Sequence, residues 1–152
     1  RIPGWQMSNG PDGNYFPASS VPANYGIPPG RTATVIASPV CRYFIPPGSH
    51  FFSAFPEECS VIAQQHPEFV LESSAAFYAA LPDKATGQCP PDIGGFGVFV
   101  TFIPVYRLWN NRVDTNHRYT MSTRVRTEMM TKGWVSEGYG PMGVAMCAPD
   151  WE

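Results

Sequence analysis

The sequence predicts an α+β fold of two tandem ββαβ-type units, with short helices and antiparallel strands, stapled by disulfides and preceded by an irregular N-terminal arm. Three observations carry this. Residues 39–80 (copy one) can be laid over residues 103–149 (copy two) motif by motif, so one local architecture occurs twice. Proline (17) and glycine (14) together make about a fifth of the 152 residues, which favours turns and short strands over long helices. Each copy holds one short helix-forming stretch, too short for the crossovers of a parallel sheet.

Residues 1–38 form the predicted arm. Asn9-Gly10-Pro11-Asp12-Gly13-Asn14 and Pro28-Pro29-Gly30 are dense turn chemistry, and only Thr32 to Ile36 reads as a short strand. Trp5, Tyr15, Phe16 and Tyr25 are the side chains expected to pack the arm against the rest. The chain begins at Arg1 and shows no apolar run of membrane-spanning or signal-peptide length, so a processed protein or an excised fragment is expected.

From Val40 the repeat begins. Val40-Cys41-Arg42-Tyr43-Phe44 lies over Val105-Tyr106-Arg107-Leu108-Trp109, and Ser49-His50-Phe51-Phe52-Ser53 lies over Asn116-His117-Arg118-Tyr119-Thr120. Both are read as strands. The helix of copy one starts at Pro56, with Glu57 and Glu58 in the first turn where the helix dipole favours anions. Phe55, Cys59, Ile62 and Ala63 make its predicted apolar side, and Pro67 stops it. In copy two Ser122 or Thr123 caps the helix, Val125 and Met129 share a face, Lys132 falls in the last turn, and Gly133 suits a left-handed C-terminal position covered by Trp134. Phe69-Val70-Leu71-Glu72 then lies over Trp134-Val135-Ser136-Glu137, and Ala75 to Tyr78 over Gly143 to Met146. Between the copies, Gly94-Gly95-Phe96-Gly97 reads as a hairpin or linker rather than a nucleotide loop.

Four cysteines without a C-x-x-C pair point to two structural disulfides and an oxidising compartment. Cys41 corresponds to Tyr106 and Cys59 to Arg126, so both cysteines of copy one are missing together from copy two. A Cys41–Cys59 bond leaves that trace, and Cys89–Cys147 then brackets copy two. Loops of these lengths are each worth about 3–4 kcal/mol in the chain-entropy model.

A net charge of −2 provides no field for gathering nucleic acid or anionic membrane. Six of the ten basic residues fall between Arg107 and Lys132, but Asp114 and Glu128 interrupt them and no stacking pattern accompanies them, so a solvated helix face is the expected outcome. Sequence motifs for a hydrolase nucleophile, a zinc protease helix or a phosphate loop are absent.

The polar residues that recur are Arg42/Arg107, His50/His117 and Glu72/Glu137, with Tyr119 beside them. A His with a carboxylate suits acid–base work and an Arg suits anion binding. A catalytic site is normally built once, whereas a fold-defining network recurs with each repeat, so these are expected to be structural. The best ligand candidate is the loop after the second strand motif: Trp109, Asn110, Asn111, Asp114 and Asn116, with His117 and Arg118. An aromatic beside amides and a carboxylate suits stacking on a sugar with hydrogen bonds at its edge. Copy one has only Ile45-Pro46-Pro47-Gly48 there, so the site is expected on copy two alone. Asp114 and Asn116 offer two oxygens to calcium, too few for a site, so no cofactor and no metal is expected.

Pro104 to Asn111, Asn116-His117-Arg118-Tyr119-Thr120 and Gly133-Trp134-Val135-Ser136-Glu137-Gly138 together resemble a repeat of unknown function from secreted proteins of bacteria and fungi. Copy one, with Ser49 to Ser53 and Pro56-Glu57-Glu58-Cys59, looks like the proteobacterial version. The likeness covers about residues 39–149. Gly4 to Gly10 resembles the tail of another unit, which suggests a longer parent protein. The resemblance implies secretion and an accessory role. The expected function is therefore an extracellular, non-catalytic binding or adhesion module for a surface glycan or a parent protein domain, without nucleic-acid binding or membrane insertion. A structural role in a surface layer or filament is the alternative. A small secreted hydrolase using His117 and Glu137 is the third.

Overall fold

The computed structural model describes residues 37–95 and 98–151. Its elements are β1 (Ala37–Ile45), β2 (Ser49–Ser53), α1 (Pro56–Gln65), β3 (Val70–Ala80), β4 (Ile93–Gly95), β5 (Val98–Trp109), β6 (His117–Thr120), α2 (Thr123–Thr131), β7 (Val135–Ser136) and β8 (Val144–Trp151). All described pairings are antiparallel. The strand expected at Thr32 to Ile36, and the arm's aromatic residues, lie outside the described residues. β1 begins at Ala37, two residues before the expected start of copy one.

The two halves share one register. Phe44 faces His50 as Trp109 faces His117, and Arg42 faces Phe52 as Arg107 faces Tyr119. The third strand returns alongside: Val70 pairs with Phe44 as Val135 pairs with Trp109. Alternation explains the faces, since Cys41, Tyr43 and Ile45 point into the core while Arg42 and Phe44 point to the other side.

One difference corrects the reading of the closing segment. Val40 faces Phe77 and Val105 faces Met146, so Phe77, not Tyr78, corresponds to Met146. In copy one the return strand β3 is continuous, with bulges beside Arg42. In copy two it is split into β7 and β8 by the loop 137–143. That loop doubles back tightly: a side-chain carbon at Gly138 would lie 2.1 Å from the Gly143 carbonyl carbon. It carries Tyr139 onto Phe55 of copy one, ring centroids 4.4 Å apart.

The strands order as β2-β1-β3-β8-β5-β4, with β6 and β7 also on β5. The copies meet at two seams. At one, β3 and β8 join through the pair Ala80 and Cys147. At the other, the Tyr119 hydroxyl accepts from the Phe52 N–H and donates to the Phe52 carbonyl, both at 2.8 Å. Ser49 and Asn116 are hydrogen-bonded nearby at 2.7 Å. Val40, Ala54, Ala79 and Met146 fill the space between the copies.

Both disulfides are those read from the repeat, Cys41–Cys59 and Cys89–Cys147. Both helices stand where expected. Pro56 opens α1 with Glu57 and Glu58 behind it, and the Ser122 hydroxyl caps α2 by accepting from the Val125 N–H. Gly133 has φ +96°, the left-handed position that terminates α2. Ala63 is the exception: it is exposed, and only Cys59 and Ile62 of α1 reach the core of copy one. No helix among the described residues is long and apolar enough to cross a membrane.

Candidate functional site in the groove between the copies

Equivalent registers place equivalent side chains, and each copy builds the same ion cluster. In copy one Glu72 Oε1 lies 3.1 Å from both Arg42 Nε and His50 Nε2. In copy two Glu137 Oε1 lies 3.3 Å from Arg107 Nε and 3.0 Å from His117 Nε2. The surroundings differ. Arg42 and His50 side chains are 40% and 44% exposed, whereas Arg107 and His117 are 8% and 7% exposed.

Copy one provides the cover. Glu58 of α1 accepts from both terminal nitrogens of Arg107, at 2.9 and 2.8 Å. Phe51 lays its ring over the guanidinium at 4.7 Å and meets His117 edge-on at 5.2 Å. Burial would raise the Glu58 pKa, but the Arg107 fork outweighs it and holds the carboxyl below its ordinary range. Burial would likewise weaken the Arg107 charge, and Glu58 reverses that, so the guanidinium stays ionised. Burial pushes the Tyr119 phenol above its ordinary value, so it sits at the seam as a neutral hydrogen-bonding group.

The copy-two cluster is incompletely satisfied. Among the described residues, Arg107 Nε, His117 Nδ1 and Glu137 Oε1 are buried without a hydrogen-bond partner. The Glu137 contacts are thus electrostatic, close in distance but off the hydrogen-bonding directions. These groups line a hollow of about 310 Å³. Copy one contributes Phe51, Glu58 and Phe69, and copy two contributes Trp109, Thr115 and His117. A second hollow of about 350 Å³ adjoins it between the Pro46–Pro47 turn and the tip of the 110–116 loop, sharing Phe69 and Thr115. Together they make one groove between the copies.

The loop residues divide when placed in this groove. Trp109 and His117 line it, and Asp114 and Asn116 line its outer half. Asn110 organises the loop itself: its side-chain N–H donates to the Asp114 carbonyl at 2.8 Å and its oxygen accepts from the Asn116 N–H at 3.0 Å. Asn111 takes the left-handed turn position, φ 53°. Arg112 pairs with Asp114 at 2.8 Å, and Asn116 faces Ser49, so the two oxygens offered to calcium face protein groups instead. Among the described residues no group of three or more His, Cys, Asp or Glu is placed to hold a metal. Arg118 is exposed opposite Leu108, out of the strand alternation that brings His117 and Tyr119 inward.

The sequence reading placed the site on copy two alone; the groove takes one wall from copy one. Glu58 was legible only as a helix-dipole anion, since its partner lies 49 residues away. The run of basic residues does not make one surface. Arg107 and Arg126 are buried, Arg124 pairs with Glu128, and Arg112 with Asp114.

Fold and groove define a disulfide-stapled, mostly antiparallel α+β domain with a polar–aromatic cleft between two like-built halves. A family model described as a domain of unknown function, DUF5648, matches residues 95–144, the stretch from the end of β4 to the first residue of β8. No curated protein and no solved structure matches the chain.

Proposed function

We propose that this domain is a non-catalytic, extracellular binding module, and that a surface glycan lies in the groove between the copies. The groove itself carries the reading. Two adjoining hollows of about 310 and 350 Å³, at the lower end of the size range of ligand sites, combine aromatic walls with polar groups. Half-buried Trp109 supplies a stacking face, and Thr115 and Gln65 supply hydrogen-bonding edges. Two disulfides suit an oxidising compartment and hence secretion. We read both copies as members of one repeat family, with the matched domain of unknown function covering most of copy two.

The Arg–Glu–His cluster supports a non-catalytic role because it is wired alike in both copies. An assembly role has one observation in its favour: Val70 and Leu71 are each 53% exposed beside the open Arg42–Glu72 pair. Pull-down on insoluble polysaccharides and a glycan array test the binding reading. Retention on a glycan that Trp109→Ala abolishes, with the fold intact by circular dichroism, is the expected result. No retention on any glycan, with multimers by light scattering that Leu71→Ser dissolves, would replace it with assembly.

A further inference from the structure

If the groove is the binding site, its charge and its unpartnered polar atoms narrow the ligand class. Four carboxylates line the two hollows, those of Glu58, Glu68, Asp114 and Glu137, against one lining guanidinium, Arg107. Counting Arg112, which pairs with Asp114 from the rim, four negative charges meet two positive ones. Glu58 and Asp114 are held by arginines, Glu58 by a two-pronged bond. Among the described residues Glu68 has His66 beside it, at 3.2 Å, and no other ion-pair partner, and Glu137 shares Arg107 with Glu58.

An acidic rim alone is ordinary solvated surface. Here the wall also holds a histidine side chain more than nine-tenths buried, His117, whose Nδ1 has no hydrogen-bond partner among the described residues, beside a Glu137 oxygen that accepts no hydrogen bond from them. Buried polar atoms are rarely left unpaired, and a bound polar ligand is one way to pair them. The geometry points to a glycan of amino sugars with free ammonium groups, such as a deacetylated hexosamine polymer, as the ligand of this groove. An ammonium carries three donors and no acceptor, which fits carboxylates at Glu68 and Glu137. The sugar's apolar face fits Trp109, and an adjacent ammonium gains from the indole's negative face. Uronic-acid glycans meet like charge, and neutral glycans lose the ion pairs.

The inference rests on the groove being the glycan site, and one titration series separates the two. Glucosamine hexamer, N-acetylglucosamine hexamer, cellohexaose, oligogalacturonate and hexalysine are titrated calorimetrically near pH 6, where amines are protonated and carboxylates ionised. Glucosamine hexamer is expected to bind about tenfold tighter than cellohexaose, the size of one or two screened charge pairs. That preference should fall with added salt. Glu68→Gln, at an exposed side chain, should reduce the preference several-fold, and Trp109→Ala should weaken every sugar. Equal or tighter binding of cellohexaose or the N-acetyl hexamer, still lost in Trp109→Ala, overturns the ammonium preference and leaves the groove as a glycan site. Hexalysine binding as tightly as glucosamine hexamer overturns the sugar class. No binding of any sugar, or binding that Trp109→Ala leaves intact, overturns the groove reading and the inference with it.

Discussion

Copy one and copy two answer the same structural problems with different chemistry. Each must tie its helix to its first strand. Copy one does so with the Cys41–Cys59 disulfide; copy two has Tyr106 and Arg126 at the same positions, with the guanidinium 5.8 Å from the ring centroid. Arg126 further donates to the Met142 carbonyl at 2.7 Å, which holds the 137–143 loop that copy one lacks. Each must also seat an Arg–Glu–His cluster. Copy one leaves it half in water, while copy two buries it under Glu58 and Phe51 of copy one. The cover runs one way: the counterpart of Glu58 in copy two is Val125, which has no carboxylate to return. The same polar network is built in both places, and only where the other copy covers it does it line a hollow.

The comparison is broken most directly by removing the two acidic partners. Glu58→Ala leaves the Arg107 guanidinium, 8% exposed, without its two-pronged partner, which typically costs about 3–5 kcal/mol for a buried pair. Glu72→Ala removes the equivalent of Glu137 from a half-exposed cluster and is expected to cost under about 1 kcal/mol. Urea unfolding monitored by tryptophan fluorescence measures both. Equal losses would mean that burial does not distinguish the clusters.

The staples give the next largest contrast. The Cys41→Ala/Cys59→Ala double variant should lose about 3 kcal/mol, as expected for a loop of 18 residues. Arg126→Met keeps the volume of the helix-to-strand contact but removes the cation and its hydrogen bond to Met142. A loss of about 1–2 kcal/mol is expected by thermal melting. A larger loss for Arg126→Met than for the double cysteine variant would show that copy two, not copy one, carries the stronger tie.

What was legible in the sequence was what a repeat encodes locally. The recurrence of Arg42/Arg107 and His50/His117 marked the equivalent strands of the two hairpins, although the stretch between them is two residues longer in copy two. The joint absence of Cys41 and Cys59 from copy two gave both disulfides. Ser122 and Gly133 marked the ends of α2 because capping and left-handed backbone are properties of single positions. The closing strand was misaligned by one residue because the 137–143 loop shifts the spacing where sequence identity is weakest. The copy-one wall of the groove was not legible. Glu58 and Phe51 meet Arg107 and His117 across the boundary between the copies, and nothing within either motif records that contact. The loop was legible as polar but not as divided: Asn110 organises the turn while Asp114 lines the groove, and composition alone is the same for both roles.

The smallest effect expected here sharpens the comparison through acid. Glu58 has a depressed pKa in the folded protein because Arg107 outweighs the penalty of its burial. A depressed carboxyl stabilises the fold at pH values above its unfolded pKa, about 4.3, and that contribution is lost as pH falls through the lower folded value. Glu57, Glu68 and Asp83 are depressed as well, by Lys84, by backbone and His66 hydrogen bonds, and by the Thr86 and Ala85 N–H groups. They give every variant an acid limb of the same sign, so the informative quantity is the gap between wild type and Glu58→Gln. At neutral pH the gap is largest, because only the wild type has an ionised partner for Arg107. Below about pH 4.3 it should narrow as the wild-type carboxyl takes up its proton and both proteins present a neutral group. Denaturant midpoints from pH 7 downward measure the gap, with Glu72→Gln as the copy-one control expected to stay close to wild type throughout. A gap for Glu58→Gln that stays constant into acid would mean that shape, not charge, makes copy one the cover of copy two.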